Sequence, residues 1–243
     1  MDLHGATALI TGGAHRLGRE IALDLADAGA HVAFTYFTSG PAARATQRAI
    51  EARGVRALAV QADAADDQQM ANALAQVGAV FPRLDLWVAN AGVFRRTPLA
   101  TVSERDWDDM LRLNFATFLV PSRRIGPLMR RQGAGCIVAL ADVAALRPWA
   151  DYIPYCVAKR AVVALVQELA VRLAPKVRVN AIAPGPVLFP DDFPAAARAR
   201  EVARTRLRRA GTPQHISAAV RYLATNDYVT GTLLPVDGGR LLA

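Results

Sequence analysis

The feature that most constrains this chain is an alternation, sustained from end to end, of short apolar runs with longer helical patterns. The runs are Ala6–Thr11, His31–Tyr36, Val55–Gln61, Leu84–Ala89, Gly135–Ala141, Val177–Ala183 and Leu233–Val236. They are near-continuous in apolar residues, as strands covered on both faces require. Helical spacing fills the intervals: Arg16–Ala28, Pro41–Arg53, Asp66–Ala79, a long stretch from about Ser103 to Arg131, and Tyr152–Leu173. Thr212 and Pro213 read as the N-cap and first position of a last helix reaching about Thr225. Such alternation predicts an α/β fold with a doubly wound, seven-stranded parallel sheet flanked by helices. No repeat, low-complexity linker or composition break divides it, so residues 1–243 read as one domain.

Composition narrows the classes. With 53% hydrophobic and 21% charged residues, the chain can bury a sizeable core and is not a disordered tail. The net charge of +8 has an unusual source: Lys159 and Lys176 are the only lysines among 29 basic residues. Six arginines fall between Arg198 and Arg209, opposed only by Glu201. Clustered guanidinium groups suit phosphate, but the segment has no interleaved aromatics and no nucleic-acid recognition motif. It reads as a solvated helix face or as a flap over an anionic small molecule. The longest apolar stretches, such as Cys136 to Ala141, are too short to cross a bilayer. The N-terminus, with Asp2 and Gly5, lacks the pattern of a secretion signal. Cys136 and Cys156 form neither a metal spacing nor a disulfide framework. A cytoplasmic protein is expected, with no metal, membrane or nucleic-acid partner.

The run Thr11-Gly12-Gly13-Ala14-His15-Arg16-Leu17-Gly18 follows the first strand and opens the first helix. Glycine there lets the backbone turn tightly against a pyrophosphate, and the helix N-terminus offers free amides. An NAD enzyme places an acid at the end of the second strand, on the ribose hydroxyls. Here that end reads Phe34-Thr35-Tyr36-Phe37-Thr38-Ser39, and the next acid is Glu51. With Thr38, Ser39, His15 and Arg16 as donors for a 2′-phosphate, NADP(H) is the expected cofactor. Asp63, after the third strand, reads equally as an acceptor for the adenine amino group or as a helix cap.

Tyr155 and Lys159 stand one turn apart on one helix face. An ammonium beside a phenol is expected to lower its pKa and make it a proton donor near neutrality. With five tyrosines and two lysines in the chain, a chance Tyr-x-x-x-Lys match is improbable. Asn90-Ala91-Gly92 closes the fourth strand, where a doubly wound sheet has its ligand crevice. Asn114 sits in the middle of the long helix, where a buried amide serves either a structural hydrogen bond or a catalytic water relay.

Together, the Thr-Gly-x-x-x-x-x-Gly turn, Asn90-Ala91-Gly92, Asn114, Tyr155/Lys159, Pro184-Gly185 and Val236-Asp237-Gly238-Gly239 resemble the short-chain dehydrogenase/reductase family over essentially the whole chain. The resemblance implies a Rossmann sheet holding NAD(P)H with hydride transfer to a small-molecule substrate. It implies proton delivery by Tyr155, ribose contact by Lys159, a relay through Asn114 and a homotetramer. It also implies cofactor contacts at Gly12, His15, Arg16, Leu17, Gly18, Tyr36, Thr38, Ser39, Asp63, Ala64, Asn90, Ala91, Gly92, Tyr155, Lys159, Pro184, Gly185 and Val187.

Two positions depart from the common pattern. Arg16 replaces the middle glycine of the turn, and Asp142 stands where the catalytic serine belongs, thirteen residues before the tyrosine. No serine or threonine lies between Gly133 and Asp151 to take its place. Both departures are similar to the pteridine reductase branch. So are Asn90-Ala91-Gly92-Val93-Phe94, Thr97-Pro98-Leu99 and Asp191-Asp192-Phe193-Pro194, although Gly92 stands where that branch has serine. The branch implies an Asp142–Tyr155–Lys159 active site, with Arg16 and Phe94 at the substrate and a substrate loop or flap over about 186–210. The leading expectation is therefore NADPH-dependent reduction of a dihydropterin or dihydrofolate. The alternatives are a carbonyl, quinone or imine reductase resembling a 3-oxoacyl reductase, and an NADP-binding redox sensor without turnover.

Overall fold

In a computed structural model, residues 1–190 and 193–243 are described. Seven strands form one all-parallel sheet: β1 (Thr7–Thr11), β2 (His31–Tyr36), β3 (Ala57–Gln61), β4 (Leu86–Ala89), β5 (Gly135–Leu140), β6 (Val177–Pro184) and β7 (Leu233–Val236). Their order is β3-β2-β1-β4-β5-β6-β7, reversing direction of growth between β1 and β4. The ligand crevice of a doubly wound sheet opens at that switch. Registers such as Ile10↔Val88 and Val88↔Val138 stack the strand ends β1, β4 and β5 side by side.

Alternation within each strand fills two cores. On one face, Ile10, Val32, Phe34, Val88 and Val138 pack against α1 (Arg16–Asp27), α2 (Gly40–Glu51) and a C-terminal helix, α8 (Pro213–Thr225). On the other, Leu9, Trp87, Ile137 and Val179 meet α3 (Asp67–Val80), α5 (Thr117–Gln132) and α6 (Ile153–Leu173). Ile10, Val88, Val138 and Trp87 are fully buried, so strands apolar on both faces are what this layering demands.

The long helix expected over 103–131 is broken. It consists of α4 (Glu104–Leu111), a π turn over Arg112–Ala116, and α5. A capping box between Ser103 and Asp106 starts α4, and Pro121 and Pro127 lie inside α5. The Arg-rich segment contains a further helix, α7 (Ala195–Ala203), with no buried residue, in line with the helix-face alternative read for it. Residues 191–192, part of the segment compared with a substrate loop, lie outside the described residues. At Thr212, the expected start of α8, the backbone N–H donates to Nδ1 of His215 at 2.9 Å, with Pro213 next. No helix of the described residues is long and apolar enough to cross a membrane.

Candidate active site

The turn after β1 is held by its glycines. Gly12 adopts φ 72°, and a Cβ on Gly18 would lie 2.2 Å from the Gly12 carbonyl oxygen. Helix α1 thus starts as close to the turn as backbone allows, presenting its N-terminal amides to the crevice. Asn90 locks the turn from the neighbouring strand, its Nδ2 donating to the carbonyls of Thr11 (3.1 Å) and Gly12 (2.9 Å). His15 is the N-cap of α1 without a side-chain cap bond, and Leu17 lines the cleft. The cradle fits a dinucleotide pyrophosphate.

Of the two places expected for Arg16, its contacts favour the substrate side. The residue adopts φ 52° in place of glycine, and its Nη2 donates to the Phe189 carbonyl at 3.0 Å. The side chain is directed to the loop after β6 and lines the substrate cleft, not the 2′-phosphate position beside β2. A residue missed from sequence lies near that strand end. A Cβ on Gly40 would lie 3.6 Å from Arg44 Nη1 and 3.9 Å from the Tyr36 ring, so the Arg44 guanidinium lies near Gly40 at the start of α2. The signal was an arginine one turn into α2 behind an acid-free strand end.

Asp63 does not cap α3; Asp66 does, accepting from the Gln69 N–H at 2.9 Å. Asp63 ion-pairs with Arg112 of the π turn and accepts from the Ala65 N–H at 2.9 Å. It is buried beside Ala64. The Arg112 contact spans 49 positions in sequence and left no local trace.

At the ends of β5 and α6 the chemistry converges. Tyr155 Oη donates to Asp142 Oδ2 at 2.7 Å. Asp142 Oδ1 accepts from the Ala144 N–H at 2.8 Å, capping the short turn Val143–Ala145. Lys159 is buried, its Nζ donating to the Leu140 carbonyl at 2.9 Å. Burial pushes the Asp142 carboxyl up, against the Ala144 N–H, the Tyr155 hydroxyl and the Lys159 charge. Burial likewise lowers Lys159 to about 8, opposed by Asp142.

The expectation that Lys159 acidifies the phenol is overturned. Burial, then the charge and hydrogen bond of Asp142, hold Tyr155 well above its ordinary value. Lys159 Nζ lies 5.7 Å from the ring centroid, and one of its N–H groups donates to the Leu140 carbonyl. The phenol's partner is Asp142.

Asn114 is in the π turn, and its side chain is satisfied structurally: Oδ1 accepts from the Val93 N–H (3.1 Å) and Nδ2 donates to Met110 O (3.2 Å). This supports the structural alternative for the amide. It also explains Gly92, where a Cβ would lie 2.9 Å from Asn114 Oδ1. A serine there, as in pteridine reductases, requires Asn114 to move. Ala91, its neighbour, accepts from Thr117 Oγ1 at 3.1 Å.

Phe94 is no core residue; it stands at 37% exposure over the cleft. Its ring stacks on Tyr152 (4.6 Å between centroids, 12° between planes) and meets Tyr155 edge-on at 5.1 Å. One face expected for a heterocycle is therefore taken. Trp149 joins at 5.9 Å. Neither Trp149 nor Tyr152 was singled out from sequence, because only the fold of the 146–152 loop brings them to Phe94. Gly185 abuts the C-terminal segment, a Cβ there lying 2.6 Å from Asp237 Cα. Pro184, Gly185 and Val187 line one wall of a cleft of about 1010 Å³, with Asp142, Tyr155 and Lys159 on another.

The chain belongs to the short-chain dehydrogenase/reductase family. The family described as Enoyl-(Acyl carrier protein) reductase matches residues 12–240. The chain is 32% identical over 238 residues to the 3-oxoacyl-[acyl-carrier-protein] reductase FabG of Staphylococcus aureus, covering 96% of this chain and 97% of that protein. It is 33% identical over 249 residues to 3beta-hydroxysteroid dehydrogenase 1 of Eggerthella lenta, covering 99% and 95%. Among solved structures, a blue fluorescent protein from a metagenomic library in complex with NADPH superposes with a TM-score of 0.91 at 32% identity, covering 99% of both chains.

Proposed function

We propose that the protein is an NADP(H)-dependent reductase of a small carbonyl substrate. The observation that carries the reading over a pterin is Gly92, where a Cβ would lie 2.9 Å from Asn114 Oδ1, beside the Tyr155–Asp142 hydrogen bond of 2.7 Å that supplies the proton in either case. The activities named for the two curated relatives each interconvert a ketone and an alcohol. NADP(H) is supported by the acid-free β2 end, the Arg44 guanidinium beside it, and the NADPH-bound neighbour. In this reading Gly12, His15, Leu17 and Gly18 hold the pyrophosphate. Tyr36, Thr38, Ser39, Asp63 and Ala64 surround the adenosine end. Asn90, Ala91, Gly92, Lys159, Pro184, Gly185 and Val187 hold the nicotinamide end.

The bound cofactor supplies a hydride to the carbonyl carbon. Tyr155 gives its proton to the carbonyl oxygen as negative charge develops there. An ionised Asp142 only accepts hydrogen bonds and repels an oxyanion; burial favours its neutral form. Neutral Asp142, whose own O–H then donates to the Tyr155 oxygen, passes that proton to the phenolate, so the step ends with alcohol, phenol and carboxylate, and solvent restores the carboxyl group. Asn114 supports the site by fixing Val93 and the Asn90–Gly92 segment. Residues Pro186–Pro190 line the cleft, where Arg16 donates to the Phe189 carbonyl. The homotetramer implied by the family resemblance belongs to the same reading; sedimentation velocity checks it.

Pterin reduction is the second reading, favoured by the Asp142–Tyr155 contact and by Arg16 at the cleft. Against it stand Gly92, whose replacement by serine would crowd Asn114, and the Tyr152 ring stacked on Phe94. NADPH oxidation with an acetoacetyl thioester, dihydrobiopterin and dihydrofolate, side by side, tests the choice. The carbonyl compound is expected to give kcat/KM at least about tenfold above either pterin. Faster turnover of a pterin would reverse the order of the two readings.

A further inference from the structure

The Arg-rich segment and the last residues of the chain form one corner of the cleft, and the reaction as derived uses none of it. Asp237 folds the C-terminus back: Oδ1 accepts from the Gly239 N–H and Oδ2 from the Leu241 N–H, both at 2.8 Å. Gly239 takes φ 76° to permit the turn. The result places Arg240 at 3% exposure, against Glu201 of α7. Arg240 Nε and Nη2 both donate to Glu201 Oε2, at 3.1 and 3.0 Å. Arg204 Nη1 donates to the other oxygen, Oε1, at 2.8 Å.

Among the described residues, two guanidinium groups thus share one carboxylate, an excess of one positive charge, and Arg200 adds another. All four side chains line the cleft. Arg240 Nη1 is buried and, among the described residues, has no hydrogen-bond partner. A buried cation is normally paired through each of its donors, because an unmade bond there forfeits solvation with nothing in return. A staple between the C-terminus and α7 needs only the Nε/Nη2 edge; it gives no account of Nη1 or of Arg200.

We infer that this corner is a subsite for a carboxylate carried by the keto substrate, with the exposed Arg200 as its direct donor and the buried, incompletely paired charge of Arg240 drawing the anion into the corner. The planar guanidinium matches carboxylate geometry. Glu201 orients Arg240 and keeps the corner from attracting every anion. The inference rests on the carbonyl reductase reading and adds to it a preference for keto substrates that carry a carboxylate. The Phe94, Trp149 and Tyr152 rings supply an apolar wall for the rest of such a molecule.

The test is calorimetric titration of 3-benzoylpropionate and its methyl ester into NADP⁺-saturated protein, a complex in which no turnover occurs. The acid is expected to bind at least about tenfold tighter than the ester. Arg200→Gln and Arg240→Met should each abolish most of that preference, with affinity for NADP⁺ within about twofold of the parent. Arg200 is exposed, so its variant decides the matter if Arg240→Met does not fold, as thermal melting would reveal. Equal binding of acid and ester overturns the subsite. So does a preference that survives in either folded variant, or a loss that falls on NADP⁺ instead. NADPH oxidation with the two compounds separates the underlying reading: if neither is reduced while the acid still binds selectively, carbonyl reduction fails and the anion subsite stands.

Discussion

Replacing Asp142 by asparagine isolates the proton path, because it changes little else. In the parent, Oδ1 accepts from the Ala144 N–H at 2.8 Å and Oδ2 takes the phenol hydrogen at 2.7 Å. An asparagine of the same shape keeps the first bond through its carbonyl oxygen. Its amide cannot accept the phenol hydrogen and carries no transferable proton. Turnover should fall by about 10² to 10⁴, corresponding to about 3 to 5 kcal/mol of transition-state stabilisation. Affinity for NADPH should stay near the parent's.

The pH profile carries the sign. Burial raises Asp142, and the neutral carboxyl is the active form. Parental kcat/KM is therefore highest at low pH and falls as pH climbs through the apparent pKa of the coupled Asp142/Tyr155 pair. In Asp142→Asn that falling limb disappears. NADPH absorbance with an acetoacetyl thioester over a pH series measures both effects, and NADPH fluorescence titration measures binding. A variant that keeps the parental rate together with the parental limb would refute the relay.

The Arg44 position predicts that NADPH exceeds NADH by at least about tenfold in kcat/KM, and that Arg44→Ala narrows the ratio by raising KM for NADPH alone; equal ratios in parent and variant would remove Arg44 from the phosphate site. Lys159 is buried with its pKa lowered from 10.5 to about 8, so its charge opposes folding at neutral pH, and the penalty fades as pH rises through that interval. The difference is worth about 3 kcal/mol, against about 1.5 to 3 kcal/mol for the lost charge-assisted bond to Leu140. Lys159→Met should therefore abolish turnover yet leave the Tm of the cofactor-free protein at or above the parent's; a lower Tm contradicts this.

What could be read beforehand was whatever repeats locally. Seven strands and their helices follow from runs such as Ala6–Thr11 and from the 3.6-residue spacing of Arg16–Ala28, and their ends moved by only a few residues. Tyr155, Lys159 and the departure at Asp142 were legible because one strand end and one helix carry them in fixed order. The missing parts depend on contacts distant in sequence or on backbone detail. The π turn within 103–131 places Asn114 against Val93 and Arg112 against Asp63, and no apolar period reports it. Helix α7 buries nothing, so a solvated helix face was legible there but its pairing of Glu201 with Arg240, 39 positions on, was not. The partner of the phenol was misjudged for an electrostatic reason: one-turn spacing puts Lys159 near the ring, but burial and the Leu140 carbonyl decide where its proton points.

The central claim is that this cleft reduces a carbonyl with a proton from Tyr155, and the most direct measurement is NADPH consumption by Tyr155→Phe with an acetoacetyl thioester. Removing one hydroxyl should leave NADPH affinity within about twofold of the parent and lower kcat by roughly two to four orders of magnitude. The product should be the 3-hydroxyacyl thioester, formed one for one with NADPH oxidised. Near-parental turnover in Tyr155→Phe, or no reduction of the thioester by the parent, would contradict it.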